Sequence, residues 1–307
     1  MKTLRETNFP GVERGKVRDL YAGRDNTIVM VTTDRISAFD VVLNQQVPYK
    51  GQGLNASSAY SFQNTIDIVP NAFIAMPHQN VIVMERCEPY PVEVVIRGTL
   101  SGSSWRTYQK GQREFFDTVL PDGLRQNQDL IEVLGKPLHT PTSKAKTGHD
   151  VNLSPGEAED MVGGRDVWYA MRDAGTKLFL RANKLTAANG YREADTKYEF
   201  GLGQKGMTLF DEANTHDSSR FFRADTYREK FESGVDLDWV DKEFVRKYLM
   251  SIGFKGDGPI PDLPPEIVQG ASERVLESAY AIIGKNFVPV EPDMEQIREV
   301  VYEWTGA

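Results

Sequence analysis

Cysteine is nearly missing from this chain of 307 residues: Cys87 stands alone, so no intrachain disulfide can form. Histidine is scarce too, and its four residues are scattered, with no Cys/His spacing of the kind that binds zinc. No run approaches the ~18 consecutive apolar residues that a membrane helix needs. The opening MKTLRETNFPG lacks the apolar stretch of a signal peptide. Positive charge is not in surplus either, and a net charge of −8 argues against a general nucleic-acid surface while leaving room for a local basic site that takes small phosphates. These absences together predict a cytoplasmic protein with no nucleic acid and no membrane among its partners. They leave monomer and homodimer both open.

What is present reads as an ordinary globular chain, 40% hydrophobic and 26% charged, long enough for two or three packed subdomains around a buried core. In the first ninety residues, short β-branched runs alternate with turn signals at Ile28 to Thr32, Val41 to Leu43, Val81 to Met84 and Val92 to Ile96, which predicts an antiparallel sheet. The stretch NASSAYSFQNTI has the spacing of a helix crossing it, with Leu54, Ala59, Phe62 and Ile66 at helical offsets. From Asp117 to Asp150, Gly, Pro, Asp and Asn predict a long ordered loop or short hairpin. Ser154-Pro-Gly-Glu157 supplies an N-cap, a proline at the first helical position and a capping-box glutamate. After Gly163-Gly164, apolar residues at steps of three and four from Val167 to Leu185 predict one long amphipathic helix closed by Gly190. The last third reads as helices at 238–250 and Pro265 to Ile283, with a loop from Gly253 to Pro265. A terminal helix follows, with Met294, Ile297, Val300, Val301 and Trp304 on one apolar face. The segments expected are therefore 1–90, an antiparallel lobe; 91–225, a central α/β lobe carrying the motifs; and 226–307, mostly helical and packed on the core.

Six short stretches concentrate chemistry. In Gly15-Lys16-Val17-Arg18, period-two alternation sends Lys16 and Arg18 to one face, which suits either a phosphate grip or a charged edge strand. Asp34-Arg35-Ile36-Ser37 follows an apolar strand and suits a site at the strand end or a capped turn. Arg97-Gly98-Thr99-Leu100-Ser101-Gly102-Ser103 joins small residues to an arginine, as an anion site or a tight turn would. Lys144, Lys146, His149 and Asp150 gather in a polar segment fit for carboxylate or phosphate ligands, or simply for a solvated loop. Asp195, Lys197 and Glu199 share one face of a strand, and Asp211-Glu212 follows after a hairpin turn. Glu199 opposite Asp211 could hold Mg²⁺, which takes one or two protein carboxylates and completes its octahedron with phosphate and water, or the hairpin could carry ion pairs. Finally, Asp217-Ser218-Ser219-Arg220 sets an arginine beside hydroxyls, either at a site or at a helix N-cap.

The ordered series GKVRDLY, DRISAFD, RGTLSGSSW, PTSKAKTGHD, DTKYEFG and DE(x)₄DSSRFF, spread over residues 10 to 225, resembles the successive motifs of phosphoribosylaminoimidazole-succinocarboxamide synthases. The resemblance implies an α+β fold distantly similar to ATP-grasp proteins and protein kinases. In that fold ATP lies between an antiparallel N-terminal lobe and a second α/β lobe, and helices follow at the C-terminus. It implies ATP and Mg²⁺ as cofactors, with an aminoimidazole carboxylate ribotide and L-aspartate joined through an amide. By the same resemblance Gly15, Lys16 and Arg18 lie over the phosphates, and Arg86, Cys87 and Glu88 form the connector whose backbone meets adenine. Glu199 and Asp211 match metal carboxylates, Lys197 matches the lysine near the reacting phosphate, and Asp195 accompanies it as a catalytic residue. Arg97, Ser103 and Arg220 match the positions that hold the ribotide 5′-phosphate, while Asp34, Ser37, Lys144, Lys146, His149 and Asp150 fall in substrate-binding segments. One departure is visible: Thr215-His216-Asp217 stands where the family has Thr-Pro-Asp. A small-molecule kinase with a similar nucleotide cleft is the competing reading, distinguished by a stable phosphorylated product.

Overall fold

A computed structural model describes residues 2–39, 41–144, 151–240, 242–284 and 287–307. Strands Glu13–Arg14, Arg18–Ala22, Thr27–Thr32, Val81–Glu85 and Phe73–His78 form, in that spatial order, an antiparallel five-stranded sheet. Its central runs are apolar throughout because both faces are covered. Val29 pairs with Val83 and Val31 with Val81 under the terminal helix Met294–Thr305, whose Ile297 and Val301 fill that layer. Met30, Ile82 and Met84 point the other way, into the main core with Phe62 of helix Lys50–Gln63.

The second sheet is built on the 13-residue strand Tyr191–Gly203. Glu88–Arg97 runs along one side of it, while Gly206–Phe210 and Ser219–Arg223 share the other. Val92, Val94, Ile96, Tyr198 and Phe200 face helix Arg165–Ala188, whose Trp168, Met171, Leu178 and Phe179 complete the core. The opposite face carries Glu93, Val95 and Arg97 on one strand, in register with Glu199, Lys197 and Asp195 on its neighbour. Period-two alternation thus puts an apolar layer and an ionisable layer on one sheet.

The Ser154 capping box and the long helix ending before Gly190 form as the sequence predicts. Helix Lys50–Gln63 starts five residues earlier than its predicted Asn55, because Gly51 and Gly53 mask its first turn. Both glycines are places of close approach. A Cβ on Gly51 would sit 2.3 Å from the Thr32 carbonyl oxygen, and one on Gly53 would sit 3.0 Å from Val275. Ile66 lies beyond the helix and is exposed, as is Met294 on the terminal helix. The helix expected over 238–250 is Glu243–Ser251 instead, since Val240 is drawn into pairing with Phe221 and Trp239 bridges Phe222. A further short helix, Tyr227–Ser233, was not anticipated. None of the described helices is long and apolar enough to cross a membrane.

Candidate active site

Two cavities of about 740 and 610 Å³ adjoin on the ionisable face of the second sheet. Strand Tyr191–Gly203 reaches both. Asp195 lines the smaller cavity, Glu199 lines the larger one, and Lys197 lines both. Phe39, Asp217, Lys242 and Arg246 are also common to the two, so they mark the junction.

In the larger cavity the hairpin turn Gly15–Val17, Arg18 and Ser37 face the carboxylates. Arg18 donates to Asp211 Oδ1 at 2.8 Å and to Glu212 Oε2 at 2.5 Å. Burial pushes the Asp211 carboxyl up, but the charges of Arg18, Lys144 and Lys197 outweigh it and hold the group below the usual range. Glu199 moves oppositely. Burial, reinforced by the Asp211 charge, lifts it to about 7 against the pull of Lys144 and Lys197. Lys144 is ion-paired with Glu199, while Lys197 donates to Glu93 Oε1 at 2.6 Å and lies 3.8 Å from Glu199 Oε1. Glu93 and Glu199 are directly cross-strand, an arrangement that like charges disfavour unless cations sit between them. Lys197 does so, and Lys144 pairs with Glu199. Burial would depress the Lys197 ammonium, yet Glu93 and Glu199 keep it above its ordinary value.

The smaller cavity is rimmed by cations. Asp195 sits between two of them: Arg97 donates to its Oδ2 at 3.0 Å, and Arg220 Nε donates to its Oδ1 at 2.8 Å. Burial raises the Asp195 carboxyl, but Arg220 and Arg97 bring it below the usual range. Its oxygens are therefore engaged in holding guanidinium groups. Arg97 also donates to Thr140 Oγ1 at 2.8 Å and to Ser103 Oγ at 3.3 Å, and Arg106 and Lys255 add further positive charge to the rim. Gly102 has φ +59°, and a Cβ there would lie 2.6 Å from Arg220 Nη1. Only glycine leaves that guanidinium its place.

At the junction, Lys50 is fully buried and donates to Asp217 Oδ2 at 2.6 Å, with Lys242 Nζ 3.4 Å from Oδ1. Burial and the cations of Arg246 and Lys50 lower Lys242, partly offset by Asp217. The neighbouring His216, at the departure from the family pattern, is buried and pushed down to about 3 by desolvation, so the imidazole is neutral.

Other predicted residues lie apart from these linings. Asp34 is fully buried and accepts the Leu4 N–H at 2.8 Å and the Gly51 N–H at 3.0 Å, which ties the N-terminal segment to a helix start. Burial lifts its carboxyl to about 6 despite those bonds. Arg86, Cys87 and the start of Glu88–Arg97 join the two sheets, with the Arg86 N–H given to the Asn26 carbonyl. Burial pushes the Cys87 thiol up to about 11, which removes it as a nucleophile near neutral pH. Lys146, His149 and Asp150 fall outside the described residues. Missed in the sequence were Glu93, Lys50, Arg106, Lys242 and Arg246. Only Glu93 carried a signal, as an acid inside the apolar run Val92 to Ile96.

Behind the site, Glu193 is buried and accepts from Asn214 Nδ2 at 3.0 Å, and burial lifts it to about 8 despite bonds from Ser219 and Asn214. Its folded pKa exceeds the ordinary 4.5, so the folded state binds this proton more tightly, and stability falls as pH rises from the lower value toward the higher. Glu193→Gln is accordingly expected to flatten the decline in melting temperature between about pH 5 and 8. A decline as steep as that of the unaltered protein would contradict the assignment.

A family model described as SAICAR synthetase matches residues 11–260. The chain is 44% identical over 297 residues to a phosphoribosylaminoimidazole-succinocarboxamide synthase of Bacteroides thetaiotaomicron, covering 94% of this chain and 93% of that one. It is 39% identical over 317 residues to the synthase of that name from Legionella pneumophila, at 99% coverage of both. Among solved structures it is similar to the SAICAR synthase of Saccharomyces cerevisiae complexed with SAICAR. The TM-score is 0.78 at 27% identity, over 93% of this chain and 100% of that one.

Proposed function

This chain belongs to the SAICAR synthetase family, and from that premise we propose that its two cavities divide the substrates of one ligation between them. The reaction is the ATP-dependent joining of L-aspartate to 5-amino-1-(5-phosphoribosyl)imidazole-4-carboxylate, giving SAICAR, ADP and phosphate in purine biosynthesis. The observation that carries the division is the single strand bearing Asp195, Lys197 and Glu199, which links an arginine-rimmed cavity to one holding paired carboxylates.

Arginines suit a phosphate monoester, because a planar guanidinium gives two parallel hydrogen bonds to it. Arg97, Ser103 and Arg220 therefore take the ribotide 5′-phosphate. ATP phosphates lie in the larger cavity under Gly15, Lys16 and Arg18, with the connector Arg86–Cys87–Glu88 toward adenine. Glu199 and Asp211 fit Mg²⁺: a buried and a half-buried carboxylate that repel each other make a pair of oxygen donors facing one cavity. That matches an ion which draws its remaining ligands from phosphate and water. Bound there, Mg²⁺ would neutralise charge on the phosphates.

The ribotide carboxylate is a poor electrophile until an oxygen of it attacks the γ-phosphorus and ADP departs. The aspartate amine then attacks the acyl carbon, phosphate leaves, and the amine gives up a proton. Lys197, at the junction, stabilises the charge on the transferring phosphoryl group. Lys242 and Arg246 face the same junction and provide cations for the two carboxylates of aspartate, while Asp195 keeps Arg97 and Arg220 aimed. Ser37 and Lys144 close the larger cavity beside the nucleotide. Asp34 supports the site indirectly by anchoring Leu4 and Gly51, and Lys146, His149 and Asp150 remain assigned to substrate binding. Segments 1–90, 91–225 and 226–307 would then each supply part of the site, in a cytoplasmic enzyme.

The decisive assay measures ADP release with each substrate omitted in turn. Release should require both the imidazole carboxylate and L-aspartate, stop when a chelator removes Mg²⁺, and accompany a product heavier by one aspartyl unit. A stable phosphorylated ribotide formed without aspartate would favour a kinase instead.

A further inference from the structure

Arg220 does not rest on Asp195 alone. Its guanidinium carbon lies 5.3 Å from the centroid of the Trp239 ring, within the range in which an aromatic face attracts a cation. Trp239 stands outside all six motifs, on the segment that connects helices Tyr227–Ser233 and Glu243–Ser251. The indole is itself held. Its Nε1 donates to Asp236 Oδ1 at 2.9 Å, Asp236 is ion-paired with Lys247, and the Phe222 ring meets the indole edge-on at 5.6 Å. Lys247 belongs to the helix whose start presents Lys242 and Arg246 to both cavities. On another side, Trp239 lines a separate surface cavity of about 460 Å³, so filling a core is not its whole role.

We propose that Trp239 is a positioning residue for ribotide recognition: its ring fixes the Arg220 guanidinium before the phosphate arrives and ties that orientation to the helix bearing Lys242 and Arg246. A free arginine side chain loses rotamer freedom on binding, and one already confined by Asp195, by the close approach at Gly102 and by an aromatic face loses less. The inference rests on Arg220 contacting the ribotide phosphate.

Steady-state kinetics on the full chain test both levels, using Trp239→Leu, Trp239→Phe and Arg220→Ala. Leucine keeps apolar bulk against Phe222 and removes the π face, while phenylalanine keeps both. Trp239→Leu is expected to raise KM for the ribotide by about tenfold, the effect of losing one partly desolvated cation–π contact, with KM for ATP unchanged. Inhibition by ribose 5-phosphate should weaken by the same factor, and Trp239→Phe should restore most of both. Equal behaviour of the Leu and Phe variants, or an equal rise in KM for ribotide and ATP, overturns the role given to Trp239. If Arg220→Ala leaves ribotide KM and ribose 5-phosphate inhibition unchanged, the phosphate assignment itself fails.

Discussion

Replacing Lys197 with alanine is expected to lower kcat by about a thousandfold, in line with the loss of one preorganised group that stabilises transition-state charge. KM for the ribotide should move far less, since its 5′-phosphate is assigned to Arg97, Ser103 and Arg220 rather than to Lys197. The change also takes the ion pair from Glu93, which faces Glu199 across the strands, while Lys144 pairs with Glu199, so a lower melting temperature should accompany it. The two effects separate in the double variant Lys197→Ala/Glu93→Gln. Removing the orphaned carboxylate should recover stability without recovering rate. If the single variant keeps more than about a tenth of its kcat, the ammonium is not acting on the transferring phosphoryl group and is only a counter-ion for Glu93.

Asp195→Asn tests the other cavity, and its signature is a split between two ligands. The amide can accept from one arginine but no longer neutralises two, so Arg97 and Arg220 lose their common anchor while the rim gains net positive charge. Ribotide binding needs the guanidinium groups aimed, and KM should rise by about a hundredfold, as expected when one member of a buried charge pair is removed. Inorganic phosphate needs charge more than direction. It should inhibit the variant at concentrations no higher than those that inhibit the unaltered protein. Parallel weakening of both ligands would mean that Asp195 is not an orienting group for the arginines.

Much of this site was legible because its parts are local. Asp195, Lys197 and Glu199 sit at steps of two on a strand, so alternation alone assigns them one face. Asp195 nonetheless reads differently in three dimensions: a carboxylate expected among the catalytic groups has its oxygens occupied by two guanidinium groups. Arg18, expected over phosphates with Lys16, lines the cavity but donates to Asp211 and Glu212. Asp34 sits inside a recognisable motif and yet serves two backbone N–H groups. A motif marks a place in the chain, whereas a carboxylate's role depends on which donors reach it.

The sequence by itself determined the two periodicities, the capping box at Ser154, the long helix ending before Gly190 and the order of the phosphate- and metal-type motifs. Each of these follows from residues within a turn or a strand of one another. The tertiary structure alone decided that Lys50 neutralises Asp217 across 167 positions and that Arg18 reaches Asp211 across 193. It also decided that Lys242 and Arg246, which carry no motif, stand where the two cavities meet, and that Trp239, equally without one, lies against Arg220. Charge pairing acts through space over a few ångströms. The spacing of residues along a chain records backbone geometry, and only folding brings distant charges within that range.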